Sequence, residues 1–274
     1  MALKLMYITN EPSVAAIAEA NGVDRIFIAM EYIGKAKRQG GMDTVQSHHT
    51  PEDVRKMRKC LKKADLFVRC NPIHEATAEY TSSDEEIEAV IKAGADIVML
   101  PFFKTAQEVV RFVHLVDGRA RTSLLLETPE AVECIDEILD LPGIDEIFIG
   151  LNDLSLGYHK KFMFDLLADG TVEALTVKFR RHHMPFGFGG IAALGQGALP
   201  AERIIAEHYR LGSTIVILAR SFCNTAKVKD MAEVEEVFST GVPEIRAWEN
   251  TVNDKFLFFR KNMREIQRVT EMMG

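Results

Sequence analysis

The sequence has few cysteines, no long apolar run and no segment that resembles a linker. Its four cysteines, Cys60, Cys70, Cys134 and Cys223, stand at least ten residues apart without a Cys-x-x-Cys pair. This spacing is typical of reduced thiols and argues against a disulfide framework or a zinc site. No stretch approaches roughly 18 uninterrupted apolar residues, and the apolar run at the start is too short for a secretory signal. We therefore expect a cytoplasmic protein with no membrane partner.

Basic residues are outnumbered by acidic ones. Lys and Arg number 33 and Asp and Glu number 40, which gives a net charge of −7. Because no basic block is present either, a nucleic-acid partner is not expected. Hydrophobic residues make up 47% of the chain, which excludes disorder and allows a large core. The length of 274 residues is close to the roughly 250 of a (β/α)₈ barrel.

Short β-rich runs alternate with longer amphipathic stretches along the chain. This alternation predicts an α/β protein, and eight runs favour a single (β/α)₈ TIM barrel over residues 1–274. An open doubly wound sheet gives similar local patterns and is the alternative. The predicted strands are Leu3–Thr9, Arg25–Met30, Leu66–Arg69, Ile97–Leu100, Thr122–Leu126, Glu146–Ile149, Pro185–Phe188 and Thr214–Leu218.

Residues 242–274 form a C-terminal helical extension of the predicted barrel. The apolar face of this extension needs a partner, either on its own barrel or on a neighbouring subunit. That face consists of Ile245, Trp248, Val252, Phe256, Phe258 and Met263.

Two acidic residues, Glu127 and Asp153, follow the fifth and sixth predicted strands. Functional residues of a barrel lie where strands end, and parallel neighbours are ~4.8 Å apart. Both carboxylates can therefore reach one cation, and such hard oxygen ligands suit Mg²⁺ or Mn²⁺. The alternative is that each acid caps a helix.

The other strand ends carry acidic, basic and glycine residues. Glu31 and Arg69 follow the second and third strands, and Arg220 with Ser221 follows the eighth. The glycine-rich loop 186–197, which includes Gly189 and Gly190, is predicted to follow the seventh strand and, with Arg220, to bind an anion such as a phosphate. Tight packing of the glycines is the alternative. Lys35, Lys37 and Arg38 add positive charge, so we expect an anionic substrate.

Two linked motifs resemble those of the HpcH/HpaI aldolase and citrate lyase β-subunit family. They are Leu-Leu-Glu-Thr-Pro-Glu-Ala-Val at 125–132 and Pro-Gly-Ile-Asp-Glu-Ile-Phe-Ile-Gly-Leu-Asn-Asp-Leu-Ser at 142–155. Val68-Arg69 and residues 93–101 extend the likeness to roughly residues 24–220. The resemblance implies that Glu127 and Asp153 hold Mg²⁺, Mn²⁺ or Co²⁺, and that Arg69 binds the carboxylate and enolate oxygen of a pyruvate-like 2-oxo acid.

The same resemblance implies a role for neighbouring residues. Glu31 is expected near the metal and its waters, and both Glu31 and Arg69 are expected to have catalytic roles. The alternative for Arg69 is a mere surface ion pair. Leu151 and Asn152, directly before Asp153, are expected to contact the substrate together with Gly189, Gly190 and Arg220.

Two positions depart from the family pattern. The aldolase branch has a histidine as general base after the glutamate of the second strand, and the citrate lyase branch has an acidic residue there, but this chain has Tyr32. His48 or His49 is a substitute base, although paired loop histidines are often merely solvated. Leu125 stands where the aldolase branch tends to have glutamine. The contacts to the substrate are therefore expected to have diverged.

These features lead to one function and three alternatives. The leading hypothesis is a metal-dependent aldolase or lyase that cleaves or forms a carbon–carbon bond to a pyruvate-type enolate, with a loop base or a metal-bound water moving the proton. The alternatives are a citrate-lyase-like enzyme acting on a CoA thioester, a phosphoenolpyruvate-using transferase and a non-catalytic binding protein. The C-terminal helices resemble the exchanged last helix of the family, which implies a homo-oligomer, a trimer or hexamer.

Overall fold

Eight parallel strands close into a barrel in which each strand pairs with the next and β8 pairs with β1. The computed structural model describes residues 2–35, 47, 49–228, 230–252 and 256–273. The predicted strands are confirmed to within one residue, apart from the end of β7. The strands are β1 (Lys4–Ile8), β2 (Arg25–Ala29), β3 (Asp65–Arg69), β4 (Ile97–Leu100), β5 (Arg121–Leu126), β6 (Glu146–Ile149), β7 (Phe186–Ile191) and β8 (Ile215–Leu218).

Helices connect the strands on the outside of the barrel. Three of them begin at clear caps: Thr50, Ser82 and Thr105 each form a reciprocal capping box with the acidic residue three positions later. The helices are α1 (Pro12–Ala20), α2 (Pro51–Cys60), α3 (Ser83–Lys92), α4 (Ala106–Val116), α5 (Pro129–Glu133), α6 (Ile135–Leu139), α7 (Leu151–Gly157), α8 (Asp165–Ala168), α9 (Thr171–Arg181), α10 (Ala201–Leu211), α11 (Met231–Glu249) and α12 (Phe256–Met273).

The glycine-rich segment after residue 186 is not a loop from its start. Strand β7 continues through Gly189 and Gly190 to Ile191, and its register against β8 shifts between Gly187 and Gly190. A Cβ on Gly187 would lie 2.8 Å from a ring carbon of Phe148, and one on Gly189 would lie 3.0 Å from Leu151. Gly189 also has a φ of +58°. The prediction that the strand ends at Phe188 is therefore wrong, because glycine lets the irregular strand continue.

Alternation of side chains across the strands builds the barrel interior in layers. A middle layer is apolar and includes Phe27, Phe67 and Leu125. Side chains two residues farther along a strand point the same way. This spacing aims Arg69 and Glu127 at the carboxyl-terminal mouth, directly above the apolar layer.

A buried ion pair closes the opposite end of the barrel. Arg25, at the start of β2, donates to both carboxylate oxygens of Glu146, at the start of β6, at 2.7 and 2.8 Å. The Arg25 guanidinium also lies 5.7 Å from the centre of the Phe67 ring. This pair ties opposite sides of the barrel together beneath the apolar layer.

Glu146→Gln is expected to lower the free energy of unfolding by about 3–5 kcal/mol, because it removes the carboxylate to which the buried Arg25 donates and leaves only that of Asp65, 3.7 Å from Arg25 Nε. Glu52→Gln is the matched control, since it breaks an ion pair to Arg55 whose side chains are 57% and 50% exposed, and such pairs contribute about 1 kcal/mol or less. Urea denaturation of both variants measures the difference. Equal losses would show that the buried pair is not a special source of stability.

The C-terminal helices begin earlier than expected. Helix α11 begins at Met231, before the predicted start of the extension at Val242, and accommodates Pro243 in its interior. In the last helix, Asn262 donates to the Arg203 carbonyl and to Glu207 of α10, and Ile266 is fully buried. The apolar face of α12 therefore packs on its own barrel, and exchange between subunits stays a prediction.

Two further observations concern the chain as a whole. All four cysteines are free thiols, as predicted. Among the described residues, no helix has the length and apolar character required to cross a membrane.

Candidate functional site

Glu127 lies at the barrel mouth directly after β5 and is almost fully buried. Its Oε1 accepts a hydrogen bond of 3.1 Å from the backbone N–H of Phe102, in the loop after β4. Phe102 has a φ of +50°, a left-handed conformation that is uncommon for a bulky residue. Such strained residues cluster at functional sites. The strained backbone here aims an N–H group at one carboxylate oxygen.

Gly150, between β6 and α7, makes room for the same carboxylate. A Cβ at this position would lie 2.7 Å from Glu127 Oε2 and 2.8 Å from Glu127 Cβ. The φ of Gly150 is −81°, so the backbone conformation itself would accept any residue. The absence of a side chain is therefore needed for the space that it leaves to Glu127.

Gly150→Ala is expected to weaken divalent-metal binding about 10- to 100-fold, as loss of support around a metal ligand commonly does. The physical reason is displacement of the Glu127 carboxylate and not backbone strain. Gly118→Ala is the control, because Gly118 has a φ of +64° and no atom near the added Cβ, so that it destabilises the chain away from the site. Calorimetric titration with Mn²⁺ compares the two. Unchanged affinity in Gly150→Ala would contradict the assignment.

Asp153 shares one cavity with Glu127. This cavity, here named the acid cavity, has a volume of about 360 Å³ and is lined by Phe102, Lys104, Glu127, Thr128, Pro129, Glu130, Asp153, Leu156 and Gly157. The idea that the two acids cap helices is wrong. Thr128 accepts the capping hydrogen bond of α5, and Gly150 precedes α7 without a side-chain cap.

The two acids fit a hard divalent cation. Both residues line the same cavity, and carboxylate oxygens are the ligands that Mg²⁺ and Mn²⁺ prefer. Within the described part of the chain, no group of three or more His, Cys, Asp or Glu side chains is arranged to hold a metal. A cation here would therefore take two protein carboxylates and fill its remaining positions with substrate or water.

A second buried cluster at the mouth consists of Glu31, Lys35 and Arg69. Glu31 Oε2 lies 3.2 Å from Lys35 Nζ and 3.2 Å from Arg69 Nε. Burial is the main cause that lowers the pKa of Lys35, the charge of Arg69 adds to it, and Glu31 and Glu127 oppose it. The charge of Lys35 therefore interacts with Glu31 and Arg69 within the cluster and with Glu127 in the acid cavity.

The Arg69 guanidinium is held between Glu31 and the Phe27 ring. It lies over the Phe27 ring, 5.3 Å from its centre. Its Nε is close to Glu31 but outside hydrogen-bond geometry, and it has no hydrogen-bond partner among the described residues. Its side chain is only 15% exposed, so the alternative of a mere surface ion pair is wrong. A charged fork held in this way matches the geometry of a carboxylate.

Arg69 lines a cavity at the barrel mouth, here named the arginine cavity. This arginine cavity has a volume of about 260 Å³, and its lining includes Thr9, Asn10, His49, Arg69, Arg220 and Asn224. His49 Nδ1 accepts a hydrogen bond of 3.0 Å from the Ala29 N–H, so a neutral His49 ring carries its proton on Nε2.

Some predicted residues lie apart from both cavities. Leu151 is buried against Gly189, and neither contributes to the lining of the acid or the arginine cavity, nor do Asn152 and Gly190. Their contact with a substrate stays a prediction, and packing accounts for Gly187 and Gly189. Lys37, Arg38 and His48 lie outside the described residues.

Tyr32 and Leu125, which depart from the family pattern, have structural partners. The ring of Tyr32 is 42% exposed and meets Tyr80 edge to face. Leu125 belongs to the apolar layer below Glu127. The position after Glu31 therefore faces away from the two cavities, and His49 enters the arginine cavity from farther along the chain.

Three supports of the site were missed at the level of sequence. Asn71 accepts hydrogen bonds from the N–H groups of Tyr32 and Ile33 and is itself held by Glu86. Phe102 was overlooked because a positive φ leaves no mark on a phenylalanine. Gly150 lies within the second motif, three residues before the predicted ligand Asp153. A glycine at this place was the signal that could have identified it.

Comparison with known proteins gives a consistent picture. A sequence model described as HpcH/HpaI aldolase/citrate lyase matches residues 4–174. No functionally curated protein matches the sequence. The crystal structure of a HpcH/HpaI aldolase/citrate lyase family protein from Burkholderia cenocepacia J2315 has a TM-score of 0.61 and 14% identity, over 85% of this chain and 95% of that one.

A second solved structure, a HpcH/HpaI aldolase from Desulfitobacterium hafniense DCB-2, is similar to this chain with a TM-score of 0.56 and 16% identity. The match covers 89% of this chain and 93% of that one. At these identities the likeness shows the shared barrel fold. The sequence match carries the family relationship.

Proposed function

Because the chain belongs to the HpcH/HpaI aldolase/citrate lyase family, we propose that it is a divalent-metal-dependent aldolase or lyase acting on a small 2-oxo acid. The observation that supports this most is the pair of carboxylates, Glu127 and Asp153, that line one cavity at the barrel mouth. Glu127 and Asp153 would hold the metal. When bound, Mg²⁺ or Mn²⁺ would act as a Lewis acid that stabilises negative charge developing on a 2-oxo acid.

The residues around the two cavities would orient the substrate. Arg69, held by Glu31 and Phe27, would bind the carboxylate of the 2-oxo acid through two parallel hydrogen bonds. His49 would donate its Nε2–H to an oxygen of the substrate. Each contact strengthens as negative charge grows on the oxygen, which favours the transition state.

The proposed reaction is retro-aldol cleavage of a 4-hydroxy-2-oxo acid, or its reverse. The hydroxyl group on C4 loses its proton, and the C3–C4 bond breaks to release an aldehyde. The electron pair of the broken C3–C4 bond passes into the enolate. Protonation at C3 then gives the 2-oxo acid. The acid cavity, bounded by Phe102, Pro129 and Leu156, would receive the aldehyde half.

An anionic or phosphorylated aldehyde partner stays part of the proposal. Arg220 lines the arginine cavity together with Asn10 and Asn224, and such groups suit an anion.

A citrate-lyase-like reaction on a CoA thioester is the second candidate, since the matching family includes citrate lyase. Binding of CoA esters to the purified protein separates the two. Assembly into a trimer or hexamer also stays a proposal, and sedimentation tests it.

Chelation tests the metal requirement. Treatment with EDTA is expected to abolish formation of pyruvate or another 2-oxo acid from 4-hydroxy-2-oxo acids, and Mg²⁺ or Mn²⁺ is expected to restore it. A panel of neutral and phosphorylated aldehyde partners in the same assay defines the second substrate. Activity that does not respond to the chelator would contradict the proposal.

A further inference from the structure

One carboxylate oxygen at the barrel mouth is shared by two cations. Glu31 Oε2 lies 3.2 Å from both Lys35 Nζ and Arg69 Nε. The exposed fractions of Glu31 and Lys35 are 2% and 6%. When all three side chains are ionised, this buried cluster carries one positive charge in excess. Without Lys35, Glu31 and Arg69 would sum to zero.

Excess buried charge is costly unless an anion compensates it. The nearest further negative group that acts on Lys35 is Glu127, whose carboxylate also accepts the Phe102 N–H and lines the acid cavity. Burial and the Arg69 charge both lower the pKa of Lys35, as expected for a cation that its surroundings do not fully balance. The cluster is therefore suited to receive a negatively charged ligand.

The hydrogen-bond donors of the cluster exceed its acceptors. An ammonium group has three donors and a guanidinium has five. Across the described residues, the one hydrogen bond from Lys35 Nζ goes to Glu31, and Arg69 Nε has none. A ligand with carboxylate oxygens would supply the missing acceptors.

The backbone before Lys35 is held in place. Asn71 Oδ1 accepts from the N–H groups of Tyr32 and Ile33, and the N–H of Lys35 donates to the Tyr32 carbonyl. Glu86 in turn fixes Asn71 through its side chain and its backbone N–H. Lys35 is therefore placed in the cluster by a fixed turn.

We propose that Lys35 supplies the positive charge by which the Glu31–Arg69 pair holds the carboxylate of a monoanionic 2-oxo acid. Lys35 offsets Glu31, so that Arg69 keeps its charge for the ligand. This inference rests on the proposed function for the identity of the ligand, but the anion site itself follows from the three side chains. Lys35 is thus a specificity residue for the charge of the substrate.

Rescue of a charge-neutralising variant by a second charge-neutralising substitution tests this inference. Calorimetry measures oxalate binding in the presence of Mg²⁺ and, separately, phosphate binding without metal. Lys35→Met is expected to weaken both at least about 10-fold, whereas Lys35→Arg stays within about 3-fold of the parent. Lys35→Met combined with Glu31→Gln restores the excess charge and is expected to recover most of the lost affinity. Lys56→Met on exposed α2 is the control, and circular dichroism verifies folding.

The outcomes separate this inference from the proposed function. Folded Lys35→Met protein that binds both anions as the parent does, or a double variant that shows no recovery, would overturn the role of Lys35. A parent protein that binds neither anion would overturn it as well. Phosphate binding that follows the charge of residue 35, without any oxalate binding in the presence of Mg²⁺, supports the anion site and counts against the 2-oxo acid chemistry alone.

Discussion

Asp153→Asn is expected to reduce metal-dependent turnover by about 10³-fold while leaving the fold intact. The change keeps the size of the side chain and removes the negative charge that would bind the cation. A bound divalent metal contributes several kcal/mol of transition-state stabilisation, and each 1.36 kcal/mol changes the rate about tenfold. The measurement is kcat for 2-oxo acid formation at saturating Mg²⁺, with thermal unfolding as the check on structure.

Asp136→Asn is the matched control for this prediction. Asp136 is 71% exposed and pairs with Lys178 on the outer surface, so its replacement is expected to leave kcat unchanged. Turnover in Asp153→Asn equal to that of the parent would remove Asp153 from the metal site. Equal losses in both variants would point to a general effect on the protein.

Arg69→Met is expected to lower kcat/KM for the 2-oxo acid by about 10²- to 10⁴-fold, because two charge-assisted hydrogen bonds of about 1.5–3 kcal/mol each are lost. Lysine is not expected to rescue the site, since a single ammonium group cannot form the parallel pair of bonds. Steady-state kinetics with substrates that retain or lack the carboxylate measures the effect. For substrates that lack the carboxylate, Arg69→Met is expected to lower kcat/KM much less than for substrates that retain it.

Arg111→Met provides the control for Arg69. Arg111, on α4, forms exposed ion pairs with Glu75 and Asp84 outside the barrel mouth. Its replacement is expected to leave kcat/KM unchanged. The role of Arg69 would be wrong if its loss affected substrates with and without a carboxylate equally.

The barrel could be predicted from the sequence because its strands are buried on both faces. Runs such as Ile97–Leu100 and Glu146–Ile149 are short and bounded by helix signals, and their predicted limits match the structure. Glu127 and Asp153 could be placed together for the same reason, since β5 and β6 are consecutive neighbours in a closed barrel. Alternation along a strand then decides which side chains point into the mouth.

Other parts of the site depend on contacts that the sequence does not express. The continuation of β7 to Ile191 needs a register shift that only glycine accommodates. The left-handed backbone of Phe102 shows no sequence signal, and the sequence predicts Lys35 as one of several cations at the mouth without indicating that it pairs with Glu31.

Glu127 and Asp153 are proposed to hold one divalent cation together. Calorimetric titration of the purified chain with Mn²⁺ tests it most directly, in the parent protein and in the Glu127→Gln and Asp153→Asn variants. We expect one Mn²⁺ site per chain in the parent protein and no Mn²⁺ binding at this site in either variant. Mn²⁺ binding of unchanged affinity and stoichiometry in both variants would contradict it.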